Sequence, residues 1–274
     1  MKFVTFLPRH ISLMSLSAGV LALGVAAVPA QVSVEPQEHG PHQQDFVHGA
    51  PQVESLAWTL AAGGRIYDNW WIALDRDEPD GTNPVYEATD GVQSGSGTWR
   101  CKECHGWDYL GAEGVYRQGS HFSGVPGVLQ VSGQPVELLM RTLRDDNHPY
   151  TTAMIPDDEM MRLATFLSEG LVDMRPFIDL EARRVSAGDV TRGREIFQTV
   201  CAACHGFDGR AMDWGSGDEH NFVGTEAAEL PDEVYNKISN AHPGAAMVNM
   251  RAFSVEDRVN LLAYIATLPT GIDD

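Results

Sequence analysis

The chain is short of cysteine and of positive charge. It has four cysteines in 274 residues, and all four fall in two short segments, Cys101–Cys104 and Cys201–Cys204. None is left for a separate disulfide framework. Lys and Arg number 19 against 38 Asp and Glu, a formal net charge of −19. Phosphate binding needs a basic patch, so nucleic acid is not an expected partner. Only Ile11–Val28 is apolar for long enough to approach a bilayer span. No segment reads as a convincing sheet strand, and no βαβ pattern is present, which points to an all-α chain.

The apolar run follows Lys2, Arg9 and His10 and ends in Val28-Pro29-Ala30, the layout of a secretory signal peptide over residues 1–30. If that segment is retained instead, it would be a membrane anchor. Its removal takes away two basic residues and no acid, leaving 17 − 38 = −21. Such a charge favours a basic redox or protein partner whose attraction weakens in salt; it also serves solubility. Residues 31–52, rich in Gln, Pro and His, read as a flexible leader. His39, His42 and His48 in it read as solvated rather than metal-binding.

Both cysteine segments have the form C-x-x-C-H: Cys101, Cys104, His105 and Cys201, Cys204, His205. CxxC alone is compatible with a dithiol redox pair, a zinc knuckle or haem attachment. A redox pair would be expected within a βαβ frame. A four-thiolate zinc site leaves both histidines without a purpose. Haem attachment uses all three residues: two thioethers to the vinyl groups and an adjacent histidine as proximal iron ligand.

The chain also repeats itself. Cys101, Cys104, His105, Gly106 and Asp108 recur as Cys201, Cys204, His205, Gly206 and Asp208, an offset of one hundred, and Phe122-x-Gly124 recurs as Phe222-x-Gly224. Gly193-x-x-Ile196-Phe197 leads into the second motif, and Gly63-x-x-Ile66-Tyr67 stands before the first. In the first copy an insertion from Ile72 to Arg100 intervenes, marked by EPDGTNP and DGVQSGSG. A terminal helix closes each copy. In the second, Val255, Val259, Leu262, Ala263 and Ala266 form one face, with Ser254 and Asp257 as a near capping box. In the first, Pro156-Asp157-Asp158 starts a helix striped by Met160, Leu163, Ala164, Leu167 and Leu171. These stripes read as core.

On these motifs the chain resembles tandem, two-haem c-type cytochromes of the class I fold, over about residues 53–274. The resemblance implies two all-α cytochrome c-like domains, 53–172 and 186–274, joined by a linker, 173–185, each a few helices around one covalently attached haem. It implies a crossing of first and last helices at Gly63 and Gly193, with Tyr67 near Phe166 and Phe197 near Tyr264. It implies two haem c groups on Cys101, Cys104, Cys201 and Cys204, with His105 and His205 as proximal ligands. The proline of the family's G-P-x-L loop is replaced by Ser120-His121-Phe122 and His220-Asn221-Phe222, which removes the expected support of the proximal histidine. In that family the distal methionine stands seventeen or eighteen residues before the last helix's aromatic. The count reaches Met247 in copy two, with Met250 as the alternative, and His148 in copy one, with Met154 as the alternative.

The function implied is exported, periplasmic electron transfer between redox partners, with membrane contact only if the N-terminal segment is retained. The competing function is a haem enzyme, of thiosulfate dehydrogenase or peroxidase type, working at the first haem. The absence of a spare cysteine counts against the former, and a peroxidase needs an open sixth position.

Overall fold

The computed structural model describes residues 49–272. The expected signal peptide and the leader histidines His39, His42 and His48 lie outside the described residues. Ser55 opens α1 (Leu56–Ala73), its hydroxyl accepting from the Trp58 N–H at 3.2 Å. Asn69 departs from helical angles (φ −155°, ψ 95°) and bends α1. Ile72 and Ala73 still belong to α1, so the insertion expected from Ile72 begins at Leu74. It contains α2 (Pro84–Glu87), capped by Asn83, and a 3₁₀ turn, Ser96–Trp99.

Next come α3 (Cys101–His105), α4 (Val136–Thr142) and α5 (Asp157–Thr165), the last running on into a π-turn, Phe166–Gly170. A hairpin of two-residue strands follows, β1 (Ile178–Asp179) and β2 (Arg184–Val185), antiparallel, with Ile178 opposite Val185. It is the only strand pairing longer than an isolated bridge among the described residues. The stretch looks like a charged linker in sequence, yet Met174, Phe177 and Ile178 are buried, and Phe177 packs on Tyr235 at 4.9 Å between ring centroids.

Asp189 caps α6 (Val190–Ile196), and a π-turn, Phe197–Cys201, passes directly into α7 (Ala202–His205). The chain ends in α8 (Val223–Glu229), α9 (Pro231–Asn240) and α10 (Val255–Ile265), where Ser254 Oγ accepts from the Asp257 N–H at 3.0 Å. The fold is helical, as the sequence pattern implied.

Two helix crossings organise it: α1 on α5, and α6 on α10. Each depends on a glycine. A Cβ on Gly63 would overlap the Arg162 carbonyl, and one on Gly193 would overlap the Asn260 carbonyl. Only the missing side chain lets the backbones meet. Tyr67 packs on Phe166 at 5.7 Å and Phe197 on Tyr264 at 5.4 Å. The copy-one stripe is buried through Leu167, with Leu171 half-buried. In α10 the stripe is shifted: Val255 is exposed at the open first turn, while Leu261 and Ile265 join Val259 and Leu262 in the core.

The two copies share an interface built by α9. Asn236, buried, donates from Nδ2 to the Trp107 carbonyl at 2.8 Å and accepts from the Tyr109 hydroxyl. Lys237 pairs with buried Asp68, which also holds Arg100 at 2.5 Å. Arg251 donates to the Gly170 carbonyl at 2.9 Å.

Candidate functional site

In copy one, α3 sets Cys101 and Cys104 one turn apart and ends at His105, where Gly106 turns the chain with φ +78°. Tyr67 donates to the Gly106 carbonyl at 2.7 Å, tying this turn to the α1–α5 crossing. His105 Nδ1 lies 2.7 Å from the Pro126 carbonyl oxygen. A carbonyl only accepts, so Nδ1 carries the proton and Nε2 keeps its lone pair. The proline missing from the expected loop is therefore present further on, in Val125-Pro126-Gly127. The spacing hid it: the loop after the motif is longer than the family pattern.

His121, at the place expected for that proline, does something else. Its Nδ1 lies 2.7 Å from Glu103, and its ring stacks on Tyr116 at 4.8 Å. Glu103 is buried inside the C-x-x-C-H segment and also pairs with Lys102 at 2.9 Å. Burial alone would raise its carboxyl, but His121 and Lys102 outweigh that and hold it down at about 2.

Facing His105 is His148. The ring centroids are 6.3 Å apart and the planes 24° from parallel. His148 Nδ1 lies 3.1 Å from Asp145 Oδ1, which fixes it as the donor and leaves Nε2 free there too. Two imidazoles bound to one metal at about 2 Å each have ring centroids roughly 6 Å apart, so the spacing fits one iron held by both. Burial, with His148 nearby, pushes His105 down to about 4 although the Pro126 carbonyl opposes this, so its ring is neutral, the ligating form.

His148 is positioned by residues that the sequence pattern did not single out. Arg144 donates to the carbonyls of Tyr150 (2.8 Å) and Ile155 (2.7 Å) and pairs with Asp157 at 2.9 Å, clasping the loop that carries both His148 and Met154. The Tyr150 hydroxyl donates to the Trp99 carbonyl at 2.9 Å, and Trp70 Nε1 donates to the same oxygen at 3.2 Å. The insertion thus supplies Trp99 to anchor Tyr150, two residues beyond His148. Met154, half-buried, packs on the edge of the core.

In copy two, α7 ends at His205 with the same reversal at Gly206, φ +80°. Cys201 is half-buried and Cys204 exposed. His205 Nδ1 is buried without a hydrogen-bond partner, so this copy lacks the carbonyl that Pro126 gives the first. Its ring lies 6.5 Å from Phe197 and 6.0 Å from Trp214. Of the two methionines, Met250 is 3 % exposed, part of the core, and its N–H is held by the Ile238 carbonyl at 2.9 Å. Met247, three residues earlier, is half-buried and outside that core.

None of the four cysteines forms a disulfide. Burial pushes Cys101 and Cys104 up to about 12 and Cys201 up to about 11. Dithiol redox pairs need the opposite shift. Among the described residues, no three His, Cys, Asp or Glu side chains converge as a metal cluster, so the two CxxC pairs do not build a four-thiolate site.

Residues 188–265 match the family model of cytochrome c oxidase, cbb3-type, subunit III. The chain contains a c-type cytochrome domain. That domain runs from the start of α6 to the end of α10 and holds Cys201, Cys204, His205, Met247 and Met250. A c-type cytochrome domain implies haem c, and electron transfer is the chemistry this group supplies. The first copy, including Cys101 to His148, lies outside the match. No curated protein and no solved structure matches the chain. No helix among the described residues is long and apolar enough to cross a membrane.

Proposed function

We propose that the chain is an exported two-haem c-type cytochrome that passes electrons between redox partners, its domains spanning about 53–172 and 186–274. Cys101, Cys104, His105 and His148 would hold the first haem c. Cys201, Cys204, His205 and Met247 would hold the second. The observation that carries this reading is the pair of imidazoles His105 and His148, each with Nδ1 occupied, their ring centroids 6.3 Å apart beside a CxxC pair. The C-x-x-C-H repeat and the shared glycine crossing extend the cytochrome reading of copy two to copy one.

Haem iron supplies a one-electron couple, and the protein sets its potential. Met ligation raises the potential and a second imidazole lowers it. The Asp145 carboxylate on His148 would orient that ring as a ligand and add to its donor strength, which acts in the same direction. The first haem is then the lower-potential one and the second the higher, which gives the pair a downhill direction from copy one to copy two. A closed His/His site counts against a peroxidase at the first haem, since that chemistry needs an open position. Export rests on residues 1–30. A basic partner fits the net charge of −19.

A haem count on the purified protein combined with a redox titration tests the reading. Two covalent haems, both low-spin, with two resolved potentials are expected. One haem, or a high-spin first site, would overturn it.

A further inference from the structure

The repeat places Trp107 and Phe207 at the same position, directly after C-x-x-C-H-G. Their surroundings are opposite. Trp107 is 3 % exposed and Phe207 is 77 % exposed. What covers Trp107 is α9 of the other copy. Lys237 Nζ lies 5.0 Å from the Trp107 ring centroid, within cation–π range, and Asn236 donates to the Trp107 carbonyl at 2.8 Å. Arg100 and Lys102 also stand over this ring, at 6.0 and 5.6 Å.

The contact between copies is therefore head to tail. A helix carrying a lysine sits on the motif loop of copy one, and the corresponding loop of copy two is left bare. A heterologous contact of this kind always leaves one such face open. The Phe207 carbonyl is already held by Gln198 at 2.8 Å, so the ring is what remains to be covered. Met212 and Trp214, 40 % and 51 % exposed, lie on the same loop, and exposed Cys204 immediately precedes it. Aromatic and methionine side chains of this kind form the centres of protein interfaces.

We propose that the Phe207–Trp214 loop is the docking face for a redox protein that presents a basic surface helix, laying Lys or Arg over Phe207 as Lys237 lies over Trp107. The chain's charge of −19 attracts such a partner. A second copy of this chain does not fit, because its own α9 is already committed to its own Trp107. The inference rests on the two-haem reading only in that Cys204 carries a haem. It adds that electrons are exchanged with the partner at copy two, beside the exposed Cys204.

The test uses the holoprotein and zinc-substituted mitochondrial cytochrome c, a basic protein whose photoexcited state donates an electron. Haem is counted first, and reduction by a small neutral reductant is recorded for every variant. Phe207→Lys is compared with Leu56→Lys, the same charge change on a residue 54 % exposed at the start of α1. At low ionic strength Phe207→Lys should slow transfer from the probe about tenfold relative to Leu56→Lys, with unchanged reduction by the small reductant. The Trp214 indole N–H resonance should shift on adding the probe. Equal slowing by both variants, or an unmoved Trp214 resonance, would overturn the proposal. A haem count of one, with copy two empty, would remove the reading beneath it and is seen before any rate is measured.

Discussion

His105 and His148 face one another with ring centroids 6.3 Å apart, and each ring has its Nδ1 occupied, one by a backbone carbonyl and one by a carboxylate. His148→Ala should therefore open the first site, turning that haem high-spin and able to bind added cyanide or carbon monoxide. Met154→Ala should leave the spectrum intact and cost less than the about 2–5 kcal/mol of a fully buried methionine, since Met154 is half-buried. Absorption spectra of the two variants decide between the ligands: a first haem that stays low-spin in His148→Ala would transfer the role to Met154.

Met247 and Met250 differ in the same way. The oxidised protein should show one far-red methionine-to-iron charge-transfer band. Met247→Ala should abolish it and lower one potential. Met250→Ala should keep the band and destabilise copy two by about 2–5 kcal/mol, because Met250 is 3 % exposed in the core. A band surviving in Met247→Ala would refute the assignment.

The Asp68–Lys237 pair joins the copies. Burial raises the Asp68 carboxyl, but Lys237 and Arg100 outweigh that and hold it below its ordinary value of 3.8. Its folded-state value lies below the unfolded one, so its contribution is fully present above about pH 4 and is lost as pH falls through the folded value. Asp68→Asn leaves Lys237 only the longer pair with Glu233 at 3.8 Å and takes the carboxylate from Arg100, and should cost about 2–3 kcal/mol at pH 7. Denaturant unfolding of Asp68→Asn, Lys237→Met and the double variant checks this, with the double variant expected to recover part of the loss.

Asp108 has the opposite sign. It is 1 % exposed, and burial pushes its carboxyl up to about 6 although the N–H groups of Val115 and Leu110 both donate to it. Its folded-state value lies above the unfolded one. Stability is therefore lost as pH rises from about 4 to about 6, by on the order of 3 kcal/mol, and is flat above. Asp108→Asn should flatten that part of the pH–stability curve; an unchanged slope would show that other groups cause it.

Asn236 closes the interface. Asn236→Ala leaves the Tyr109 hydroxyl and the Trp107 carbonyl without their partner in a buried place, a loss of about 1–3 kcal/mol for each unsatisfied group. The melting temperature should fall and Trp107 should become accessible to a fluorescence quencher. Retained protection of that tryptophan would show that Lys237 suffices.

Much of this protein is legible in local pattern. C-x-x-C-H, the hundred-residue offset, the two glycines and the terminal helices are each set by residues close in sequence, or by steric demands that only one residue type meets. Gly63 and Gly193 are glycine because a carbonyl of the crossing helix occupies the place of a Cβ. The register count that singled out His148 also depends only on spacing along one helix and its preceding loop. What pattern could not supply lies across the chain. Pro126 stands under His105 because a longer loop returns to it, and loop length carries no signal of where a carbonyl will point. Arg144 clasps the His148 loop through backbone oxygens, which have no sequence identity at all. The motif residues Trp107 and Phe207 look alike in the sequence, and only packing separates them: α9, more than a hundred residues beyond Trp107, covers the first and has no counterpart over the second. Chemistry held within one turn of helix was determined by the sequence alone. The support, shielding and exposure of that chemistry were decided by tertiary contacts, whose energies depend on which distant surfaces the folded chain removes from water.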